Sequence, residues 1–462
     1  MDQSLIFDVD LIKKYDKAGP RYTSYPTAVQ FHTGFGAADY LAAAARTNAE
    51  AQLRPLSLYF HIPFCDTVCF YCGCNKIATK NRDKALPYLT HLHQEIARQG
   101  ALFDRRRTVT QLHWGGGTPT FISHEQMAEL MAVTRQHFDL KDDDTGEYSI
   151  EIDPREVKEG TLALLRRIGF NRLSMGVQDF DPQVQQAVNR IQSEEQTFAV
   201  LEQARALGFR SINVDLIYGL PFQNVTSFLR TLDKIIAAAP DRLSVFNYAH
   251  LPELFKPQRR INAVDLPPAS EKLAILQATS QRLEEAGYVY IGMDHFAKPN
   301  DELAIAQRNR TLYRNFQGYS THSDCDLVAL GTTSISSVGN TYAQNVKELD
   351  SYYAMLDAGE LPIYRGIVLD DDDVLRRDVI TRLICHFELD TAAIARQYTI
   401  DFAKYFATEL AELEEMAADG LVATEGDLLR VLPVGRLLIR NICMVFDRYL
   451  RQSKEHRYSK VI

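Results

Sequence analysis

From Pro55 onward the chain repeats one two-part pattern, and that repetition limits the architectures open to it more than any other feature. Short runs rich in β-branched and aromatic residues occur at LSLYFHI, QLHWG, YSIEID, RLSMGV, INVDLIYGL, LSVFNYAHL and YVYIGMD, each bounded by Gly, Pro, Asn or Asp. Between them lie ALPYLTHLHQEIARQGALF, HEQMAELMAVTRQHF, EGTLALLRRIGF, SEEQTFAVLEQARALGF, TSFLRTLDKIIAAA and SEKLAILQATSQRLEEAGY, whose apolar residues recur at three- and four-residue spacing. Strand and helix therefore alternate about six times. Such alternation predicts a parallel sheet covered by helices, because parallel strands need crossovers of this length. The rhythm leaves open whether the sheet is doubly wound or curled into a full or partial barrel.

The flanks differ. The first 54 residues read as an extension, with Pro20, Pro26 and a helix-like AADYLAAAARTNAE but no clear strand. After Leu361 the pattern is mostly helical, in RRDVITRLICHF, TAAIARQY, FAKYFATELAELEEMAADG and VGRLLIRNICMVFDRYL, with a short hairpin in VATEGDLLRVLP. The expected division is an extension over 1–54, an α/β domain over 55–360, and a helical, winged-helix-like domain over 361–462 that packs on the sheet or closes over its mouth.

With 51 Lys+Arg against 60 Asp+Glu in 462 residues and 46% hydrophobic content, the chain is an ordinary globular protein, which excludes disordered and collagen-like classes. A net charge of −9 gives no diffuse attraction for phosphate backbones, so no nucleic-acid partner is expected. Arg105, Arg106 and Arg107 form the only basic triplet, read as a solvated turn after a helix ending near Phe103. No stretch approaches roughly 18 uninterrupted apolar residues, and Met1 to Ser4 does not open a secretory signal, so a cytoplasmic protein without a membrane span is expected. No heptad pattern demands an oligomer, and a monomer is expected.

In a reducing compartment the seven cysteines are not expected as a disulfide framework. Four of them, Cys65, Cys69, Cys72 and Cys74, fall within ten residues directly after the first strand, while Cys325, Cys385 and Cys443 are scattered. A structural zinc site would call for a second CxxC pair or a histidine farther along, and none follows. A Cys72–Cys74 disulfide would leave two thiols unexplained. Thiolates also hold iron-sulfur clusters, and CxxxCxxC offers three ligands at a spacing a compact loop can wrap around a cubane. Three ligands leave one iron open to a chelating ligand, and Cys74 remains over, either structural or redox-active.

This spacing after a strand, with aromatic Tyr71 before the third cysteine, resembles the radical S-adenosylmethionine superfamily. The resemblance implies a partial (β/α)6 barrel and a [4Fe-4S] cluster on Cys65, Cys69 and Cys72. It also implies S-adenosylmethionine chelating the fourth iron and a one-electron cleavage that yields a hydrogen-abstracting 5′-deoxyadenosyl radical. The glycine run HWGGGTPT after the second strand then fits the S-adenosylmethionine glycine motif, since its backbone can approach a ligand closely. Polar residues recur where later strands end: Glu151 and Asp153, Gln178 and Asp179, Asp215, and Ala249 with His250. Carboxyl ends of parallel barrel strands gather catalytic groups, whereas polar groups at mid-strand are expected to avoid an apolar interior.

Eight segments narrow the resemblance: GPRYTSYPTA, HIPFCDTVCFYCGCNK, HWGGGTPT, FNRLSMGVQDF, DLIYGLP, DRLSVFNYAHLP, GMDHFA and LLIRNICM. Over nearly the full length they are similar to the family of oxygen-independent coproporphyrinogen III oxidases, also called dehydrogenases. CxxxCxxCxC and PRYTSYP are the most telling, because related haem chaperones usually lack both. The resemblance implies two S-adenosylmethionine molecules, one met by Tyr59, Gly116, Glu151 and Ile335, the other by Tyr71, Gly117, Thr118, Gln178, Arg190, Asp215 and Ala249. It implies conversion of two propionates of coproporphyrinogen III to vinyl groups, giving protoporphyrinogen IX in haem biosynthesis, with a one-electron reductant such as flavodoxin or ferredoxin. A tetracarboxylate substrate needs local cations, for which Arg21 is the candidate, beside Lys13, Lys14 and Lys17 on an extension that can act as a lid. The roles of His61, His113, His250 and His295 stay open, a histidine beside a strand being more often a satisfied hydrogen-bonding residue than an acid or base, and none is assigned a catalytic part.

Overall fold

The computed structural model describes residues 5–452. The chain forms two compact units, one made of residues 31–268 and 324–368, the other of the residues up to 30, residues 269–323 and those from 369 on.

The first unit is built on strands β1 (Leu56–Ile62), β2 (Val109–Gly116), β3 (Glu147–Ile152), β4 (Arg172–Gln178), β5 (Ser211–Tyr218) and β6 (Arg242–Asn247). Each pairs in parallel with the next in chain order, as a partial (β/α)6 barrel requires. The crossovers are helices α1 (Ala85–Leu102), α2 (His124–His137), α3 (Thr161–Ile168), α4 (Glu194–Ala206) and α5 (Val225–Ala238). Beyond β1 the sheet continues through parallel β7 (Asp326–Leu330) and antiparallel β8 (Ile335–Val338), β9 (Thr341–Asn345) and β10 (Ile363–Val368). β10 lies past Leu361, in the stretch expected to be mostly helical. Its six residues pair with β9 and so belong to the sheet.

One face of β1 to β6 is apolar and buried, carrying Leu58, Phe60, Leu112, Trp114, Ile150, Met175, Val214, Leu216 and Val245. Trp114 sets its ring edge-on to Phe60 and Phe170. The other face is polar well below the strand ends. Along it the cross-strand neighbours are Tyr59 and His113, His113 and Ser149, Glu151 and Ser174, Ser174 and Asn213, and Asp215 and Ser244. The expectation that mid-strand polar groups avoid the interior is therefore corrected. These groups satisfy one another: Ser174 Oγ donates to Asp215 at 3.1 Å, Asn213 Nδ2 to Ser174 at 3.0 Å and Ser244 Oγ to Asn213 at 3.2 Å, which offsets their desolvation.

The arginine triplet is also corrected. Arg106 is exposed, but the Arg107 side chain is 0% exposed and its Nη2 lies 2.6 Å from Asp326 Oδ2 at the start of β7. It further donates to the Arg54 carbonyl at 2.8 Å and to Thr47 Oγ1 at 2.9 Å, tying the first turns of the unit together. A string of three arginines does not disclose an acid 219 residues away.

The second unit contains helix Val9–Tyr15, capped by the Asp8 side chain, a helix the sequence reading does not anticipate. Helix Ala269–Glu285 and strand Val289–Gly292, the last pair of the expected alternation, fall here as well. So do two hairpins, Val289–Gly292 with His295–Ala297 and Tyr313–Asn315 with Gly318–Ser320. Helices Asp371–His386, Thr391–Tyr398, Ala407–Ala418 and Ile439–Val445 accompany a three-stranded sheet of Glu388–Asp390, Leu428–Val431 and Val422–Glu425, which contains the expected hairpin. Among the described residues no helix is long and apolar enough to cross a membrane.

Candidate active site

β1 runs out at Ile62, and Pro63 starts the loop that carries the four clustered cysteines. The loop is closed by a short parallel pairing of Phe64–Cys65 with Ile77–Ala78, in which Ile77 N donates to Pro63 O at 2.7 Å and Thr79 N to Cys65 O at 2.9 Å. Cys69 is buried, Cys65 and Cys72 are half-buried, Cys74 is exposed, and all four are free thiols.

Cations converge on this loop. Arg190 Nη1 lies 3.5 Å and Arg155 Nη2 3.7 Å from Cys69 Sγ. Asp153 holds both guanidiniums, at 3.0 Å from Arg190 and 2.7 Å from Arg155. The Thr118 hydroxyl faces Cys65 Sγ at 3.6 Å, and Lys76 Nζ donates to Cys72 O at 3.0 Å. Burial pushes the Cys65 thiol up to about 11. The hydrogen bond with the Cys74 thiol brings Cys72 down to about 5, and the same contact pushes Cys74 up. Three thiols on one loop under cationic side chains are a donor set suited to iron, which binds thiolates.

The glycine run brings the end of β2 against this loop. A Cβ on Gly117 would meet Phe64 O at 2.6 Å and Pro63 C at 2.7 Å, so only glycine fits. The Gly117 amide donates to Ile62 O at 2.8 Å and the Thr118 amide to Phe64 O at 2.7 Å. Gly116, at φ +111°, donates to Glu151 Oε2 at 3.2 Å. These amides thus bind the protein itself, and the carboxylate that Gly116 meets is that of Glu151.

Around the polar face, Tyr59 stacks on His113 with ring centroids 5.9 Å apart, and its hydroxyl lies 3.1 Å from His61 Nδ1. Glu151 Oε1 is 3.3 Å from His113 Nε2. Burial would raise Glu151, but the hydrogen bond and charge of His113 and the Gly116 amide outweigh it and hold the carboxyl below its usual range. Asp215 goes the other way: burial and the neighbouring Glu151 charge push it up to about 6, against hydrogen bonds from Ser244, Asn213 and Ser174. Gln178, at φ +71°, has a buried Oε1 without a partner, and so has Arg190 at Nε, although Arg190 Nη2 donates to Gly176 O at 2.6 Å. Idle polar atoms beside the cysteine loop are where a polar ligand would be met.

Tyr71 packs with Phe70 against Val184, Val188, Leu220, Tyr248 and Ile261, and Gln258 joins its carbonyl to that of exposed Ala249, at 2.9 and 3.3 Å. Half-buried Ile335 opens β8 opposite Gln344. The turn before it is pinned from below, by Gly331 N donating to Glu95 Oε2 at 2.8 Å, Asn345 Nδ2 to Glu95 Oε1 at 2.7 Å and Tyr352 OH to Glu95 Oε2 at 2.6 Å. Tyr88 OH donates to His61 O at 2.5 Å and accepts from Thr332 N at 3.3 Å, linking that turn to the end of β1.

All the predicted cluster and S-adenosylmethionine residues thus lie in one compact unit. Arg21 lies in the other, where it pairs with Asp294 at 2.9 Å, and Lys14 is engaged by Asp419 and Glu415. The histidines behave as hydrogen-bonding groups, His61 Nε2 at 3.0 Å from Asn75 O and His250 Nδ1 at 2.8 Å from Tyr248 OH. Sequence reasoning misses Arg155 and Glu95. The DPR sequence after β3, an acid followed two residues on by a cation, is a signal for the first; Glu95 gives none, because it sits in a regular amphipathic helix.

The pattern of the Radical SAM superfamily matches residues 59–235, and that of the HemN C-terminal domain matches residues 369–438. Over its whole length the chain is 55% identical to the oxygen-independent coproporphyrinogen III oxidase of Pseudomonas aeruginosa, covering 100% of both chains. The chain belongs to the oxygen-independent coproporphyrinogen III oxidase family. The Escherichia coli oxidase of that name is 53% identical over 461 residues, covering 99% of its length. The solved structure of coproporphyrinogen III oxidase (HemN) from Escherichia coli, described as a radical SAM enzyme, superposes with a TM-score of 0.92 over 96% of this chain at 51% identity. A member of this family and superfamily uses a [4Fe-4S] cluster and S-adenosylmethionine, and the thiol set after β1 fits that requirement.

Proposed function

We propose that this chain is an oxidoreductase that oxidatively decarboxylates two propionate side chains of coproporphyrinogen III to vinyl groups, giving protoporphyrinogen IX. The observation that carries the reading is the cysteine loop seated on the polar face of the barrel, in a chain that matches relatives of that name from end to end. Cys65, Cys69 and Cys72 hold one [4Fe-4S] cluster, and Cys74 stays outside it as a hydrogen-bond partner of Cys72. When bound, this group supplies the electron that splits S-adenosylmethionine into methionine and a hydrogen-abstracting 5′-deoxyadenosyl radical.

The chain's own residues orient and shield. Tyr59, Gly116, Glu151 and Ile335 border one S-adenosylmethionine, and Tyr71, Gly117, Thr118, Gln178, Arg190, Asp215 and Ala249 a second. Glu151, held ionised by His113, accepts from an ammonium or from ribose hydroxyls, and the idle Gln178 Oε1 accepts a further donor. Arg190 and Arg155, which face Cys69 Sγ, would offset the negative charge of a cluster held there. In becoming a vinyl group each propionate would lose one β-hydrogen atom, CO2 and one electron, so one substrate molecule would require two S-adenosylmethionines and an electron acceptor. A flavodoxin- or ferredoxin-type reductant feeds a monomeric cytoplasmic enzyme. Along the sequence the chain comprises an extension over 1–54 that carries Arg21, a barrel domain over 55–360 and a helical domain over 361–462.

The test is anaerobic incubation of iron- and sulfide-reconstituted protein with dithionite, S-adenosylmethionine and coproporphyrinogen III. Protoporphyrinogen IX should form and be lost in Cys69→Ser. Deoxyadenosine formed while the porphyrinogen stays unchanged would reject the substrate.

A further inference from the structure

Away from the cysteine loop, the second compact unit holds arginines whose hydrogen bonds are unevenly met. Arg314, in the middle of strand Tyr313–Asn315, is 7% exposed, and neither its Nε nor its Nη1 has a partner. Its guanidinium lies over the Tyr319 ring, 4.7 Å from the centroid, which leaves those N–H groups idle. A buried cation with unmet donors is costly unless an anion reaches it.

Arg21 stands in the same group. Its Nη1 is 2.9 Å from Asp294 Oδ2, and its side chain is 39% exposed, so it is partnered yet reachable. Arg440, itself buried, donates from Nε to the Pro20 carbonyl at 3.0 Å and from Nη2 to the Gly19 carbonyl, which fixes the backbone leading into Arg21. The Tyr319 ring brings Arg314 close to the partner of Arg21: Arg314 covers it, and His295, the residue after Asp294, meets the same ring edge-on with centroids 5.2 Å apart. Burial first, then the charge of Arg21 and more weakly that of Arg314, brings Arg440 down to about 10, while Asp294 opposes the shift. Arg314 and Asp294 also both act on the buried Tyr319 hydroxyl, Arg314 to lower it and Asp294 to raise it. One carboxylate therefore already sits among these cations, and Arg314 keeps donors for another.

We infer that Arg21 and Arg314 form a carboxylate-binding site that takes one propionate of the substrate, with Arg440 positioning Arg21 and Asp294 competing for it. The inference rests on the reading of coproporphyrinogen III as substrate, a tetracarboxylate that a chain of net charge −9 must meet with local cations. A propionate carboxylate has the same two-oxygen head as Asp294, so the chemistry that holds the internal acid also suits the external one.

The experiment is steady-state kinetics of the full-length, cluster-loaded enzyme with coproporphyrinogen III under anaerobic conditions. Arg314→Gln and Arg21→Gln should each raise KM about tenfold or more, the effect of losing a charge-assisted hydrogen bond, with a smaller change in kcat. Arg314→Lys should recover part of the loss. Asp294→Asn should lower KM by releasing Arg21, a change in the opposite direction that general damage to the fold would not give. Arg21 is partly exposed, so Arg21→Gln carries the test even if Arg314→Gln folds poorly. Conversion with KM unchanged in Arg21→Gln and Arg314→Gln, or raised in Asp294→Asn, would overturn the site alone. No conversion by the unaltered protein would overturn the substrate reading and the site with it.

Discussion

Replacing Arg107 by Met would test whether the buried ion pair at the start of the barrel is as consequential as its geometry implies. The Arg107 side chain is 0% and that of Asp326 1% exposed, at 2.6 Å. Removing one partner of such a pair strands the other charge and typically costs about 3–5 kcal/mol. Asp326 would retain Arg54 Nη1 at 3.2 Å and the Gly339 amide at 2.9 Å, which favours the lower end, about 3 kcal/mol. Trp114 is the sole tryptophan and is buried in β2 of the same unit, so its fluorescence reports urea unfolding at that strand. With a slope of about 3 kcal/mol per molar urea the midpoint should fall by about 1 M. Adding Asp326→Leu should restore part of the loss, because an apolar pair replaces a stranded charge. A midpoint unchanged in Arg107→Met would refute the reasoning, since it would mean that Asp326 is adequately neutralised without Arg107.

Glu95 gives a pH-dependent counterpart. Burial pushes it up to about 7, above its ordinary 4.5, so the unfolded chain loses this proton first and stability should fall as pH rises from about 4.5 to 7. The full cost above pH 7 is about 3 kcal/mol, and Glu95→Gln should flatten that part of the Trp114-monitored stability profile; a variant with the same pH slope as the parent would contradict the assignment. Gly117→Ala should lower bound iron and sulfide after reconstitution, because its Cβ would strike the backbone of Pro63 and Phe64, and full cluster content would show that the loop has more room than described. Arg190→Lys should keep a positive charge but lose the simultaneous contacts to Cys69, Asp153 and Gly176, and so shift the cluster's electron paramagnetic resonance signal or reduction potential. An unaltered signal and potential would remove Arg190 from the cluster environment.

The parallel repeat and the cysteine loop were legible in the sequence because both are written locally: strand runs with boundary residues, and thiols counted over ten positions. The polar face of the barrel was not. His113, Ser149, Ser174, Asn213 and Ser244 look unsuited to an interior one at a time, and become acceptable only as cross-strand partners. The same limit hid Arg107, which depends on Asp326, and Glu95, which needs Asn345 and Tyr352 some 250 residues away. β10 was hidden because a six-residue strand beside a long helical stretch carries too little periodicity to stand out. Arg21 was picked out by its motif, but its company, Asp294, Arg314 and Arg440, comes from segments far apart in the chain.

The most direct measurement of the central claim is product stoichiometry. Coproporphyrinogen III labelled in its propionate carboxyls, followed anaerobically by mass spectrometry with S-adenosylmethionine and a one-electron reductant, should yield two CO2 and two 5′-deoxyadenosines per protoporphyrinogen IX. Deoxyadenosine accumulating without labelled CO2 would contradict the account, leaving the cluster chemistry in place and removing the porphyrinogen as its substrate.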